Sequence, residues 1–131
     1  MSNKNERLKT LSEHYGLSGE DFQKIHNNII VKRTGVEKIA AQANIDVKYT
    51  IVALDLPQKV AAVEAIGVKY DDDGEAESKV QTYGESCKYN TTNEYPLAMA
   101  EKRAFARAVL KLTEFYSHGV YSEDESDDFK K

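Results

Sequence analysis

The stretch Tyr95-Pro-Leu-Ala-Met-Ala-Glu-Lys-Arg-Ala-Phe-Ala-Arg-Ala-Val-Leu-Lys-Leu-Thr-Glu-Phe-Tyr116 is the strongest helix signal in the chain. It is rich in Ala, Leu, Lys, Arg and Glu, and Pro96 stands near its start, where a missing backbone N–H costs nothing. Plotted on a helix, its apolar side chains form one broad arc: Leu97, Ala104, Phe105, Ala108, Val109, Leu112, Phe115 and Tyr116. We therefore expect a long helix that directs one face at a core.

A row of cations lies beside this arc. Arg103, Arg107 and Lys111 follow one another at i, i+4 and i+8, a spacing that places them on one stripe of a helix. Ala100 and Ala104 flank the row, and their small side chains would let a neighbouring backbone or a bulky ligand approach closely. Such a row suits a phosphate-binding helix, and it is also typical of a face that water solvates.

The middle of the chain has the pattern of three strands. Apolar and polar residues alternate over Ile45 to Asp55, and Pro57 interrupts the alternation. A second strand is predicted over Lys59 to Tyr70 and an exposed third over Glu75 to Tyr83, with a strong turn signal at Asp71 to Gly74 between them. Three strands with tight connections predict an antiparallel meander, which is the surface available to the long helix.

The first third of the chain has the pattern of a helical shoulder. Helices are predicted over Glu6 to Tyr15 and over Val36 to Ala43, with a brief extended segment at Ile29 to Arg33. Ser18 to Asp21 resembles a capping box, which predicts that a further helix begins there and carries Phe22 on its apolar side.

Together these patterns predict an α+β fold with N-terminal helices, a three-stranded antiparallel meander and a long C-terminal helix packed on the sheet. We expect residues 1–121 to form a single domain. Residues 122–131 are predicted to be a flexible acidic tail, because five of these residues are acids and only Phe129 is a large apolar residue.

Length and composition restrict the class of protein. The 131 residues suit one domain with a modest core, and no apolar run reaches the length of roughly 18 residues that a membrane span needs. The first residues do not lead into the apolar segment of a signal peptide. The single cysteine, Cys87, excludes an intrachain disulfide and a multi-cysteine zinc site. We therefore expect a cytoplasmic protein with no membrane partner.

The net charge of −4 is unevenly distributed. Two segments hold ten of the 22 acids: Asp71, Asp72, Asp73, Glu75 and Glu77 in the middle, and Glu123, Asp124, Glu125, Asp127 and Asp128 near the end. Without those ten acids the chain would carry 18 Lys and Arg against 12 acids. The body of the protein is therefore mildly basic, and the overall charge does not exclude an anionic partner.

Catalytic motifs are scarce. The sequence contains neither G-x-x-x-x-G-K-[ST] nor G-x-G-x-x-G, and its three histidines stand singly, so we expect no nucleotide cofactor and no metal. One alternative is a metal-dependent nuclease. Glu77-Ser-Lys79 after an Asp such as Asp55 or Asp71 has the D…E-x-K order in which two carboxylates hold Mg²⁺. This motif is short and common, and the larger sheet of such nucleases is not predicted, so we expect no enzyme.

Binding of single-stranded nucleic acid is the chemistry that remains. Cations can follow a phosphate backbone while aromatic rings stack on bases without reading the sequence. The candidate residues are Lys32, Arg33, Lys48, Lys69, Lys79, Lys88, Lys102, Arg103, Arg107 and Lys111 for phosphates, and Tyr83 and Tyr89 for bases. Tyrosines at strand ends are also common in cores and interfaces, so the two readings of these rings stay open.

The order of these elements resembles the single-strand annealing superfamily, which includes the phage Erf-like and RecT-like annealing proteins and the eukaryotic recombination mediators with a β-β-β-α core. The likeness rests on Gly84-Glu85 at the end of the last strand and on the pattern Ala-x-x-Arg-Ala-x-x-Arg-Ala. The positions that match this pattern are Ala100, Arg103, Ala104, Arg107 and Ala108. Ser122 to Glu125 resembles a Ser-x-x-Glu element that follows this helix in phage members.

The resemblance implies binding of single-stranded DNA without ATP and pairing of complementary strands. It also implies a homo-oligomer, a ring or a filament, that holds DNA in a groove between sheet and helix, with the second and third strands of the meander as subunit contacts. The alternative is an interaction or regulatory module that binds another protein through the acidic tail or the sheet edge.

Overall fold

The computed structural model describes residues 3–25, 28–87, 95–115 and 120–122. The elements in chain order are helix α1 (Asn3–His14), a 3₁₀ turn (Gly19–Asp21), strands β1 (Phe22–Ile25) and β2 (Asn28–Val31), helix α2 (Arg33–Gln42), strands β3 (Ile45–Asp55), β4 (Val60–Tyr70) and β5 (Ala76–Ser86), helix α3 (Pro96–Leu112) and strand β6 (Val120–Ser122). The predicted α+β class is confirmed. The predicted acidic tail, apart from Ser122, lies outside the described residues.

The predicted meander is confirmed as an antiparallel sheet in the order β3-β4-β5. Its β4-β5 turn is closed by Asp71, whose Oδ1 accepts hydrogen bonds from the backbone N–H groups of Asp73 and Glu75 at 3.0 and 2.9 Å. Gly74 has a φ of +82°, a conformation that glycine adopts without steric penalty. Asp71 and Gly74 therefore have the roles that are typical of these residue types in turns: the Asp side chain accepts hydrogen bonds from nearby backbone N–H groups, and the Gly adopts a positive φ.

The shoulder differs from its prediction in one place. The helix predicted after Ser18 is wrong, because a single 3₁₀ turn leads directly into strand β1. β1 pairs antiparallel with β2, and β6, which contains Val120 and Tyr121, adds to β2 as a parallel strand. Pairing of β1 with the nearby β2, which in turn pairs with the distant β6, outweighs the local helix signal, which is a weak determinant by itself.

Asp21 joins the hairpin to helix α2. Its buried carboxylate accepts hydrogen bonds from the backbone N–H of Ser18 at 3.0 Å, the Thr34 hydroxyl at 2.8 Å and Lys38 Nζ at 2.9 Å. Burial raises the pKa of Asp21, but the bonds from Ser18, Lys38 and Thr34 outweigh burial and lower it from 3.8 to about 2.

Helix α3 is buried on two sides, whereas its apolar pattern predicts burial along one broad arc. Ala100 and Ala104 pack on the sheet with Ala61, Val63 and Ala65. Its other side belongs to the shoulder core, to which it contributes Ala106, Val109 and Leu110 beside residues of α1, α2, β2 and β6. The helix is thus the layer between sheet and shoulder, which is why so many of its positions are alanine.

Two glycines of the sheet let α3 lie directly on the strands. A Cβ placed on Gly84 would collide with the carbonyl oxygen of Ala100 and would lie 2.6 Å from the backbone nitrogen of Ala104. A Cβ on Gly67 would lie 3.1 Å from the Cβ of Ala108. The hydroxyl of Thr82 donates a hydrogen bond of 2.8 Å to the carbonyl of Ala104 in the same seam. Helix backbone and strand backbone are therefore in contact at Gly84.

We expect Gly84→Ala to lower the free energy of unfolding by about 3 kcal/mol or more, because the clash is with backbone that no side-chain rotation can relieve. Gly19→Ala is the matched control, since a Cβ there meets no atom within 4 Å. It should change stability by less than about 0.5 kcal/mol in urea unfolding. A similar small effect for both variants would contradict the close contact.

The lowered pKa of Asp21 predicts a loss of stability in acid. The folded state holds the carboxylate below its ordinary pKa, so the stabilisation is present above about pH 4 and is lost as the pH falls from about 4 to about 2. Asp21→Asn should lower stability at pH 7 by about 1–3 kcal/mol and should flatten the dependence of Tm on pH in that window. Asp73→Asn, at an exposed turn position, is the control. If Asp21→Asn keeps the wild-type acid slope, the carboxylate is not the titrating group.

Candidate nucleic-acid interface

The two arginines of the predicted cation row reach the free edge of strand β5. The Tyr70 N–H donates to the Asn44 carbonyl, so the even-numbered backbone groups of β4 face β3 and the odd-numbered ones face β5. The register of β4 with β5 then turns the carbonyls of Tyr83 and Glu85 away from the sheet. Arg103 Nη1 donates to the Glu85 carbonyl at 2.7 Å and Arg107 Nη1 to the Tyr83 carbonyl at 2.6 Å.

These bonds explain why the side chains of the row differ in exposure. Arg103 is 4% exposed, Arg107 is half-buried and Lys111 is exposed. Arg107 also forms a forked ion pair with the Glu85 carboxylate, with both N–O distances at 3.2 Å. The guanidinium groups occupy carbonyls that an added strand would need, so they cap this edge of the sheet.

The remaining predicted residues do not share one surface. Strand register places Lys48, Lys79 and Tyr83 on the sheet face opposite α3, where Tyr83 accepts a hydrogen bond from Gln81 and donates one to Glu64. Lys69 forms an ion pair with Glu77 at 3.8 Å. Lys32 is half-buried as the N-cap residue of α2. Lys88 and Tyr89 lie outside the described residues.

Arg33 and Lys102 are brought together in a cleft of about 340 Å³ between α2, β3 and α3. Its walls also include Tyr49 of β3 and Phe105 of α3, with the acids Glu37 and Glu101. A second depression of about 610 Å³ adjoins it at Ala98 and Glu101 and is lined further by Leu56, Lys59, Tyr95, Pro96 and Leu97. We call the two depressions together the β3 groove. It runs along the side of α3 that faces away from β5.

The electrostatics of the β3 groove are mixed. Arg33, Lys59 and Lys102 face Glu37 and Glu101, so cations exceed acids by one among its lining side chains. Burial, followed by the charges of Glu101 and Asp46, raises the pKa of Tyr49 to about 12. The Tyr49 ring therefore stays neutral at physiological pH, and its hydroxyl keeps its proton as a donor.

Sequence patterns missed most of this groove. Tyr49 was assigned only to an alternating strand, Lys59 to the start of the second strand and Tyr95 to the start of the long helix. Glu101 of the long helix is exposed on the groove wall. The apolar side chains of Ile51, Val52, Leu54 and Leu56 are exposed along β3 and the turn that follows it. In the sequence, this cluster of apolar residues was the available indication that this part of β3 presents an apolar surface.

The metal site that the nuclease alternative requires is not present in the described part of the chain. Within those residues, no group of three or more His, Cys, Asp or Glu side chains is placed to hold a metal ion. Glu77 stands where β4 and β5 lose register, and its described ionic partner is Lys69 instead of Lys79.

None of the helices in the described ranges has the length and apolar character needed to cross a bilayer. Comparison of the chain with models of known protein families, with curated proteins and with solved structures found no significant match.

We expect Arg103→Ala to lower the free energy of unfolding by about 2 kcal/mol, because it removes a charge-assisted bond and a buried side-chain stem. Lys111→Ala, two turns along the same helix and exposed, should cost less than about 1 kcal/mol. Urea unfolding of both variants measures the difference. An Arg103→Ala protein with wild-type stability would contradict a structural role for this side chain.

Proposed function

We propose that this protein binds single-stranded DNA without ATP and pairs complementary strands, acting as an assembly of several copies. One observation carries the proposal: α3 crosses the meander on the β5 side and leaves the β3 groove open beside β3, lined by three cations and by aromatic rings. The resemblance to the single-strand annealing superfamily, whose β-β-β-α order this chain shares, supports the same function.

The chemistry of the groove suits a flexible polyanion. Arg33 lies in the first turn of α2 and Lys102 on α3, so the cleft between them has a cation on each of two walls. Phosphates that pass along such a cleft contact both walls, and this contact is independent of base sequence. The acids Glu37 and Glu101 beside these cations disfavour tight binding by a single subunit, so affinity would come from many subunits along one strand.

The aromatic residues supply the second part of the interaction. Tyr49 is 38% exposed and Tyr95 is 73% exposed, and they line adjoining parts of the groove. Rings in such positions stack on unpaired bases of any identity. Bases of a duplex are stacked on one another and are not available to these rings, so the groove should prefer single strands.

We expect Arg33→Ala with Lys102→Ala to weaken binding of single-stranded DNA at least tenfold at moderate salt. The slope of log affinity against log salt should become shallower by about 1.4, the value for two lost contacts to a single strand. Fluorescence anisotropy with a labelled oligonucleotide of mixed sequence, repeated at several salt concentrations, measures both quantities.

The matched control is Lys9→Ala with Lys24→Ala, which removes the same charge from exposed positions on α1 and β1. This control should bind as the wild type does. Equal weakening by the two double variants would mean that only net charge matters, and the β3 groove would not be the site. A wild type that binds duplex DNA as tightly as single strands would also contradict the proposal.

A second candidate function is an interaction module for another protein, and one observation favours it. Ile51, Val52, Leu54 and Leu56 are exposed on and beside an uncovered strand edge, in a manner typical of strand addition by a partner. Binding of a partner protein that survives nuclease treatment and high salt would favour this function over DNA binding.

A further inference from the structure

The two edges of the meander are chemically different. The β5 edge is capped by Arg103 and Arg107, as described above. On β3, the same alternation directs the backbone groups of the even-numbered residues before the irregularity at Val52 toward β4, so the N–H and C=O groups of Tyr49 point away from the sheet. Among the described residues β3 pairs with β4 alone. Its second half is exposed, with Ile51 at 53% and Val52 at 58%.

An uncovered apolar edge of this kind invites pairing with another strand. The Arg103 and Arg107 caps disfavour head-to-tail pairing of β3 with the last part of β5 of a neighbour, because the outward carbonyls of Tyr83 and Glu85 already accept hydrogen bonds. The expectation that the second and third strands form the subunit contacts is therefore not supported by their positions, since β4 is central and β5 is capped. The edge that remains for a second copy is β3 itself.

We propose that β3 pairs antiparallel with β3 of a second copy around a two-fold axis between Ile51 and Val52, which joins two meanders into one six-stranded sheet. In this register Lys48 lies opposite Asp55 of the second copy, Tyr49 opposite Leu54, and Thr50 opposite Ala53. Each of these pairs occurs twice, because the interface is isologous.

The bulge in β3 makes the register consistent with the faces of the sheet. Lys48 is opposite Ile66 and Asp55 is opposite Val60 on β4, so both side chains lie on the face away from α3. Tyr49 is opposite Ala65 and Leu54 is opposite Ala61, so both lie on the α3 face. Without the extra residue Val52, the members of these pairs would point to opposite faces.

The backbone agrees with this register. Val60 and Ala62 are even-numbered residues of β4, so their partners Asp55 and Ala53 direct their backbone groups toward β4. Leu54, between them, directs its own outward as Tyr49 does. Tyr49 and Leu54 of two copies can therefore exchange both backbone hydrogen bonds.

Charge selects this register over its neighbours. A shift by two residues in one direction would place Asp46 opposite Asp55, a like-charge pair that is unfavourable across strands. A shift in the other direction would move Lys48 beyond the end of the partner strand. The proposed register pairs Lys48 with Asp55 twice and keeps Asp46 clear of other acids on β3. The apolar exposed side chains of the two edges then cover one another.

The dimer would also place two β3 grooves side by side on one face, since antiparallel pairing around this axis keeps both α3 helices on the same side of the sheet. This arrangement is argued from strand register and charge alone and does not depend on DNA binding. Its test therefore uses the full chain without nucleic acid.

Sedimentation velocity over a range of protein concentrations is the measurement. We expect the wild type to be a dimer at about 100 μM, and Lys48→Glu and Asp55→Lys each to weaken dimerisation at least about tenfold, because each places like charges opposite one another twice. The double variant Lys48→Glu with Asp55→Lys restores opposite charges and should recover the dimer. Lys9→Glu, a charge reversal on α1, is the control and should leave the dimer intact.

Circular dichroism melting of each variant separates dimer loss from unfolding. Asp55 Oδ1 also accepts the Gln58 N–H at 3.2 Å, so Lys48→Glu is the cleaner single variant. A monomeric wild type, or a double variant as weak as the single ones, would overturn the proposed pairing. If the chain stays monomeric and still binds single-stranded DNA through Arg33 and Lys102, the pairing and the proposed assembly fail, and DNA binding by the β3 groove stands.

Discussion

The contact between the backbone of α3 and the backbone of β5 at Gly84 is the constraint on which the rest of the structure depends. The backbone of α3 is in contact with the backbone of β5, because there is no room for a Cβ between Gly84 and Ala100. At this short distance only small side chains fit between helix and sheet, which explains the alanines at their contact. A helix this close brings Arg103 and Arg107 within reach of the outward carbonyls of β5. The same placement on the β5 side leaves β3 without a helix above its second half.

The asymmetry of the two sheet edges follows from this placement. Arginine has a long stem and several donors, so from α3 it can bend over an edge strand and bond to its carbonyls. Two of the cations that suggest a polyanion site in the sequence thus form hydrogen bonds within the subunit. One of them, Arg103, is buried. The β3 side of the molecule carries exposed apolar and aromatic side chains, among them Ile51, Val52 and Tyr95. The β3 groove and the β3 edge are therefore the surfaces to which the two proposals assign a partner.

The shoulder has a different role, since its helix α2 forms one wall of the β3 groove. Asp21 ties the β1-β2 hairpin to the first two turns of α2 through Thr34 and Lys38. This tie holds Arg33 and Glu37 beside the cleft and faces them toward α3. The core between shoulder and α3, centred on Ile39, Val109 and Phe115, keeps that wall at a set distance from the helix. The groove is therefore formed by packing between elements distant in sequence.

The sequence by itself determined the meander, the bounds of β3, the turn at Asp71 and the long helix, because alternation, turn residues and helix formers act over a few neighbouring residues. It also indicated that something would approach Ala100 and Ala104 closely. Only the tertiary structure decided that this was Gly84, that the segment after Ser18 pairs as a strand, and that Arg103 is buried while Tyr49 lines a groove. These outcomes depend on which element packs against each face of α3. A periodic pattern predicts that the helix has an apolar or a basic face, but it does not predict which element that face contacts. For a helix buried on two sides, the direction of its cations follows from packing and not from spacing.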